Sequence, residues 1–102
     1  MQRKRVVVTG LSALTPLGNT LSESWENLLS GKSGIGPITR FDVSEYASRI
    51  AGEVKGFNSD QYINFKEARR MDIFTQYAVA ASKMLLEHAK FEINEENAAD
   101  VG

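Results

Sequence analysis

The sequence predicts an α/β protein built on a parallel sheet, and three observations carry that prediction. A triple-valine run near the N-terminus, Val6-Val7-Val8, has the composition of a strand covered on both faces. Two segments with helical apolar spacing follow, one near residues 20–30 and a longer one at 72–89. A weaker apolar stretch at 49–54 lies between them, so the order is strand, helix, strand, helix, with a further strand just starting at Val101-Gly102.

The first element is a strand over residues 3–9, ended by Gly10. Residues 11–19 hold Ser, Thr, Pro and Gly and form a loop with sharp turns at Pro16 and Gly18. Thr20 opens a helix of about ten residues, because Thr20 and Glu23 have capping-box spacing. Leu21, Trp25, Leu28 and Leu29 make one apolar stripe on it, and Gly31 sits where a left-handed terminus is wanted. Residues 32–41 contain Gly34, Gly36 and Pro37 and are expected to be a loop; 42–46 can make one helical turn. Residues 65–70 form either a separate turn or the opening of the long helix, which Asp72 starts as a cap or first-turn acid. That helix has apolar residues around most of its circumference, from Ile73 and Phe74 to Met84, Leu85 and Leu86, which predicts burial on more than one side. Residues 92–100 are acidic and form a solvated connection.

Composition removes several function classes. The 102 residues hold 12 Lys+Arg, 13 Asp+Glu, one His and no Cys, for a formal charge of −1. With no thiol there is no disulfide framework and no cysteine metal site, and one His cannot build a His-rich zinc site. A charge this near zero does not suit a duplex-binding protein, so no nucleic-acid partner is expected. Arg3, Lys4 and Arg5 before the valines imitate a signal peptide, but the apolar run stops at Thr9-Gly10, short of the about 7–15 residues an h-region needs. No stretch approaches the roughly 20 apolar residues of a membrane span, and the expected compartment is the cytoplasm. A chain of this size is expected to bury roughly 65% of its unfolded surface around one modest core.

Four local patterns invite a chemical reading. Gly31-Lys32-Ser33 resembles the end of a phosphate-binding loop, but the earlier glycine is replaced by Glu26 and a helix precedes it; a helix terminus followed by a turn explains it better. A dinucleotide fingerprint counted from Gly10 would need glycines where Ser12 and Thr15 stand. His88 lies near the end of the long helix with no thiol or second His beside it, which suits a structural helix-end role. Lys66, Arg69 and Arg70 share one face of a helical segment and could grip phosphate or carboxylate groups, although three basic residues alone more often make a solvated face. Phe65 and Met71 beside them are too few to form a single-strand nucleic-acid platform.

Taken in order, Arg5-Val6-Val7-Val8-Thr9-Gly10-Leu11, Thr15-Pro16-Leu17-Gly18-Asn19, Trp25, Leu28-Leu29 and Ser30-Gly31-Lys32-Ser33-Gly34-Ile35 resemble the start of a β-ketoacyl-acyl-carrier-protein synthase of the type II elongating kind. Phe41-Asp42, Ala51-Gly52, Phe57-Asn58 and Lys66-Glu67-Ala68-Arg69-Arg70-Met71-Asp72, with the helix through Tyr77, extend the resemblance over nearly the whole chain. It implies a thiolase-like α-β-α-β-α sandwich of two similar halves, usually homodimeric. This chain would be its N-terminal βαβα part, residues 1–102 of the ketosynthase N-terminal domain, with the third strand and beyond missing. It also implies decarboxylative Claisen condensation of malonyl-carrier with an acyl thioester, using a cysteine and two histidines and no cofactor or metal. The nucleophile needs a low-pKa thiolate and the oxyanion needs aimed donors.

The resemblance places the cysteine and both histidines beyond Gly102, since the chain has no Cys and His88 matches neither histidine. The expectation is a scaffold-bearing fragment that is inactive alone and prone to self-association through open sheet edges and an uncovered apolar helix face. One functional element carries over. In the family the basic segment before the long helix docks the acidic acyl carrier protein, and its matching residues are Lys66, Arg69 and Arg70, the last standing where a Lys is usual. Two alternatives are a non-catalytic carrier-binding module and a chain-length-factor-like homologue of polyketide synthesis. The residues encoded after Gly102 separate these readings.

Overall fold

The computed structural model describes residues 2–102, which form a small mixed α/β arrangement. In chain order it has α1 (Leu21–Leu29), β1 (Ile35–Pro37), β2 (Ile50–Gly52), a short 3-10 turn (Ser59–Gln61), α2 (Phe65–Ala68), α3 (Ile73–Ala89) and a second 3-10 turn (Ala98–Asp100).

Local signals in the sequence explain α1. Thr20 adopts an extended backbone and its Oγ1 accepts from the Glu23 N–H at 3.1 Å. Only this half of the expected capping box forms among the described residues. The helix ends at Gly31, whose φ of +72° is the left-handed conformation that lacks a penalty only for glycine. The Gly31 N–H donates to Leu28 O at 3.1 Å and the Lys32 N–H to Asn27 O at 3.0 Å, which is the Schellman pair. Gly31-Lys32-Ser33 is therefore a helix terminus, as the sequence argument held.

Before α1, residues 15–18 close a tight turn with reciprocal backbone bonds between Thr15 and Gly18, 2.9 and 3.1 Å long. The Thr15 and Ser24 hydroxyls are hydrogen-bonded at 2.7 Å, and Ser24 Oγ donates to Gly18 O. Gly18 is buried, and a Cβ there would lie 2.7 Å from the Ser24 nitrogen, so no larger residue fits. This turn and α1 thus form one interlocked block.

Three expectations need correction. Residues 3–9 form no strand and join no sheet: Val6, Val7 and Val8 are 94%, 66% and 77% exposed. A strand is defined by a neighbour's hydrogen-bonding groups, and no described residue lies beside this segment as a parallel partner. Likewise, Val101-Gly102 forms no strand. Residues 32–41 are not wholly loop, because β1 pairs there with β2 in antiparallel register, Ile35 opposite Gly52 and Pro37 opposite Ile50. The expected parallel βαβα order is replaced, among the described residues, by a two-stranded antiparallel ribbon between helices. A proline at the ribbon's end is tolerated because it lies on an edge.

The long helix begins and ends close to where the sequence places it, with α2 a separate turn before it. Its expected burial on more than one side is not met: Ala80 is fully buried, whereas Phe74 is 70% exposed. The covered side meets the N-terminal segment. Ser12 Oγ donates to Ala81 O at 2.7 Å, and the Leu11 N–H donates to His88 Nδ1 at 2.9 Å. At the C-terminus of α3, Lys90 takes the left-handed position with φ 53°, a conformation usually left to glycine.

The buried apolar core comprises Ile63, Ala68 and Ala80 among the described residues. An accessible surface of 8701 Å² compares with roughly 5,700 Å² for a self-contained monomer of this mass. Roughly half of the unfolded surface is buried, well under the expected fraction. The radius of gyration of 17.6 Å also exceeds the roughly 13 Å of a compact domain this long.

Candidate functional site

The basic residues singled out in the sequence lie on and just after α2. Asn64 caps this short helix, its Oδ1 accepting from the Lys66 N–H at 2.9 Å. Ala68 points inward and is 6% exposed, with Ile63 buried just before the helix. Backbone bonds from Arg69 to Phe65 O and from Arg70 to Glu67 O continue the coil past Ala68. Gln76, on the first turns of α3, donates through Nε2 to Ala68 O at 3.1 Å and to Met71 O at 3.2 Å. The segment is thus held from inside and from behind.

Its outer face is cationic. Lys66, Arg69 and Arg70 are all exposed and together line an open cleft of about 340 Å³. Among the described residues none of the three forms an ion pair; the one salt bridge is Arg40–Glu53 at 3.8 Å, elsewhere on the surface. Three positive charges converge here, and among the described residues no carboxylate lies within ion-pair distance of them. Such a cleft can receive carboxylates or phosphate, the arginines through bidentate contacts and the lysine as a point charge.

Phe65 was not given a role by sequence reasoning. Its ring is 65% exposed, and the Arg69 guanidinium carbon sits 5.7 Å from the ring centroid. The i, i+4 spacing of the two residues was the available signal.

His88 is placed elsewhere. Its Nδ1 is occupied by the Leu11 N–H, so it acts as a fastener for the N-terminal segment. A cleft of about 320 Å³ beside it is lined by Leu11, Ser12, Leu21, Tyr62, Met84 and His88. The Ser12 hydroxyl in that cleft donates to Ala81 O, and among the described residues no hydroxyl is hydrogen-bonded to the His88 imidazole. A Cβ on Gly10 would lie 2.7 Å from Ala89 Cβ, which gives that glycine a packing reason unrelated to nucleotide binding. Among the described residues no group of three His, Asp or Glu side chains could hold a metal ion, and no helix is long and apolar enough to cross a membrane.

A polar network ties the ribbon to α3. Arg40 donates to the Tyr77 hydroxyl at 2.7 Å and faces Glu53, which accepts from the Thr39 backbone and side chain. Desolvation pushes the Glu53 pKa upward, but the Thr39 hydrogen bonds and the Arg40 charge outweigh it and hold the carboxyl below its ordinary value.

Comparison with known proteins agrees with this architecture. Residues 3–102 match the family model described as beta-ketoacyl synthase, N-terminal domain. The chain belongs to the beta-ketoacyl synthase family. Among its relatives, the 3-oxoacyl-[acyl-carrier-protein] synthase 2 of Synechocystis sp. is 54% identical over 102 residues, covering 100% of this chain and 24% of the relative. The protein of the same name from Vibrio cholerae is 51% identical, covering 100% of this chain and 25% of the relative. That of Staphylococcus aureus strain COL is 50% identical over 101 residues, 99% of this chain and 24% of the relative. A solved ishigamide ketosynthase/chain length factor superposes with a TM-score of 0.80 at 34% identity, over 94% of this chain and 23% of that one. The chain spans about a quarter of the length of these relatives.

Proposed function

We propose that these 102 residues are the N-terminal portion of the ketosynthase domain of a 3-oxoacyl-[acyl-carrier-protein] synthase acting in fatty acid elongation. The reaction is decarboxylative Claisen condensation. Malonyl-carrier loses CO₂, and the resulting carbanion attacks an acyl thioester held on a cysteine, releasing that thiolate as the new carbon–carbon bond forms. The complete domain is the thiolase-like α-β-α-β-α sandwich, homodimeric and cytoplasmic. The chain has no cysteine, so its own part is scaffold together with docking of the acyl carrier protein. Alone it is inactive, and its exposed valines and helix faces favour self-association.

The observation that supports docking is the convergence of Lys66, Arg69 and Arg70 on one cleft without an ion-pair partner among the described residues. An acidic carrier helix is steered toward such a patch, with an attraction that salt weakens. Arg69→Glu in the full chain should weaken carrier binding at low salt roughly tenfold or more, because it removes one attraction and adds a repulsion. Titration calorimetry giving unchanged affinity would remove the docking claim.

A second reading, a catalytically silent chain-length-factor-like homologue, is favoured by the likeness to the ketosynthase/chain length factor structure. A nucleophilic cysteine encoded downstream of Gly102 supports the synthase, and its replacement supports the silent homologue. A natural stop at that point would leave a carrier-binding module.

A further inference from the structure

We infer that Phe65 is a positioning residue for Arg69: its exposed ring holds the guanidinium over the basic cleft and sets the affinity for an acidic helix that carries an apolar side chain beside its carboxylates. This inference rests on the docking reading of the same cleft.

Folding alone gives Phe65 little to do. The ring is 65% exposed and, among the described residues, stacks on no other aromatic; the aromatic pairs are Phe41–Tyr46, Phe57–Tyr62 and Phe57–Tyr77. The Arg69 guanidinium carbon lies 5.7 Å from its ring centroid. A cation over an aromatic face is attracted by the ring quadrupole. An arginine with no carboxylate partner otherwise samples many rotamers, and fixing them on binding costs affinity. A ring beneath the guanidinium restricts that sampling before the partner arrives. The ring has no acceptor that would take up the guanidinium N–H donors, so these stay available to a carboxylate.

The base of this arrangement is rigid enough for the effect to matter. The Asn64 cap, the buried Ala68 and the paired Gln76 bonds fix the backbone that carries both residues. Phe65 therefore has two consequences for a partner. It orients one cation, and it offers an apolar shoulder next to a cluster of three positive charges. A purely acidic surface uses only the first, whereas an amphipathic acidic helix uses both.

The test is calorimetric titration of the full chain with purified acyl carrier protein. Phe65→Ala should weaken binding roughly three- to fivefold. Phe65→Tyr should restore it to within roughly twofold, and Phe65→Leu should not, since leucine has no quadrupole. In an Arg69→Met background, Phe65→Ala should cost less than roughly twofold, because the group it positions is gone. Melting temperatures of all these variants should match the parent, since Phe65 and Arg69 are exposed. Wild-type affinity for Phe65→Ala, with Arg69→Glu still impaired, would overturn the inference and leave the docking reading intact. Full binding by Phe65→Leu would also overturn it, by reducing the ring to a greasy contact. If neither Phe65→Ala nor Arg69→Glu changes binding, the docking reading fails and takes this inference with it.

Discussion

Helix α1 and residues 3–9 lie about a dozen residues apart and both carry exposed apolar side chains, yet only α1 holds its geometry with nearby atoms. Thr20 caps it, Gly31 ends it, and Ser24 fastens it to the preceding turn. Among the described residues, 3–9 make no hydrogen bond that would do the same; just after them, Leu11 and Ser12 bond to α3. A helix satisfies its backbone within itself, and a strand needs a neighbour to do the same. Sequence therefore writes the first into a dozen adjacent residues and the second into residues that lie far away.

The largest effect that would test this contrast is in the turn before α1. Gly18→Val should destabilise the chain by about 2–3 kcal/mol, because a side chain there collides with Ser24 and Glu23. Urea unfolding with an unchanged midpoint would break the idea of an interlocked block. Thr20→Ala should cost about 1 kcal/mol through the lost cap, read as a lower melting temperature and faster amide exchange in the first turn of α1. Val7→Thr should sit at the other extreme. It should change unfolding free energy by less than about 0.5 kcal/mol, because Val7 is already exposed. The same change should lower any self-association seen by sedimentation. A large stability loss from Val7→Thr would mean that residues 3–9 are covered after all, and would erase the contrast.

The same division explains what could be read from the sequence. The bounds of α1 and α3 and the structural role of His88 follow from caps, spacing and lone-residue chemistry, whereas residues 65–70 were open between a separate turn and the start of α3 until the structure showed α2. The antiparallel ribbon did not, because three-residue strands bearing Gly36 and Gly52 carry almost no periodic signal. The apolar circumference of α3 was legible, but composition cannot say which side these 102 residues cover; Ala80 is buried and Phe74 is exposed. At the candidate site, the cluster of Lys66, Arg69 and Arg70 was visible from spacing. The partnership of Phe65 with Arg69 needed geometry, since an aromatic beside a basic residue is just as often core.

The Gln76 amide has a mechanical meaning. With one nitrogen it grips the last carbonyls of the basic segment, and it sits near the start of a helix of 17 residues, a rod about 25 Å long. The Leu11 bond is made at the far end of that rod, at His88, and the Ser12 bond at its middle, on Ala81. One glutamine side chain is thus the pin that joins the cationic segment to the helix on which the N-terminal segment is fastened.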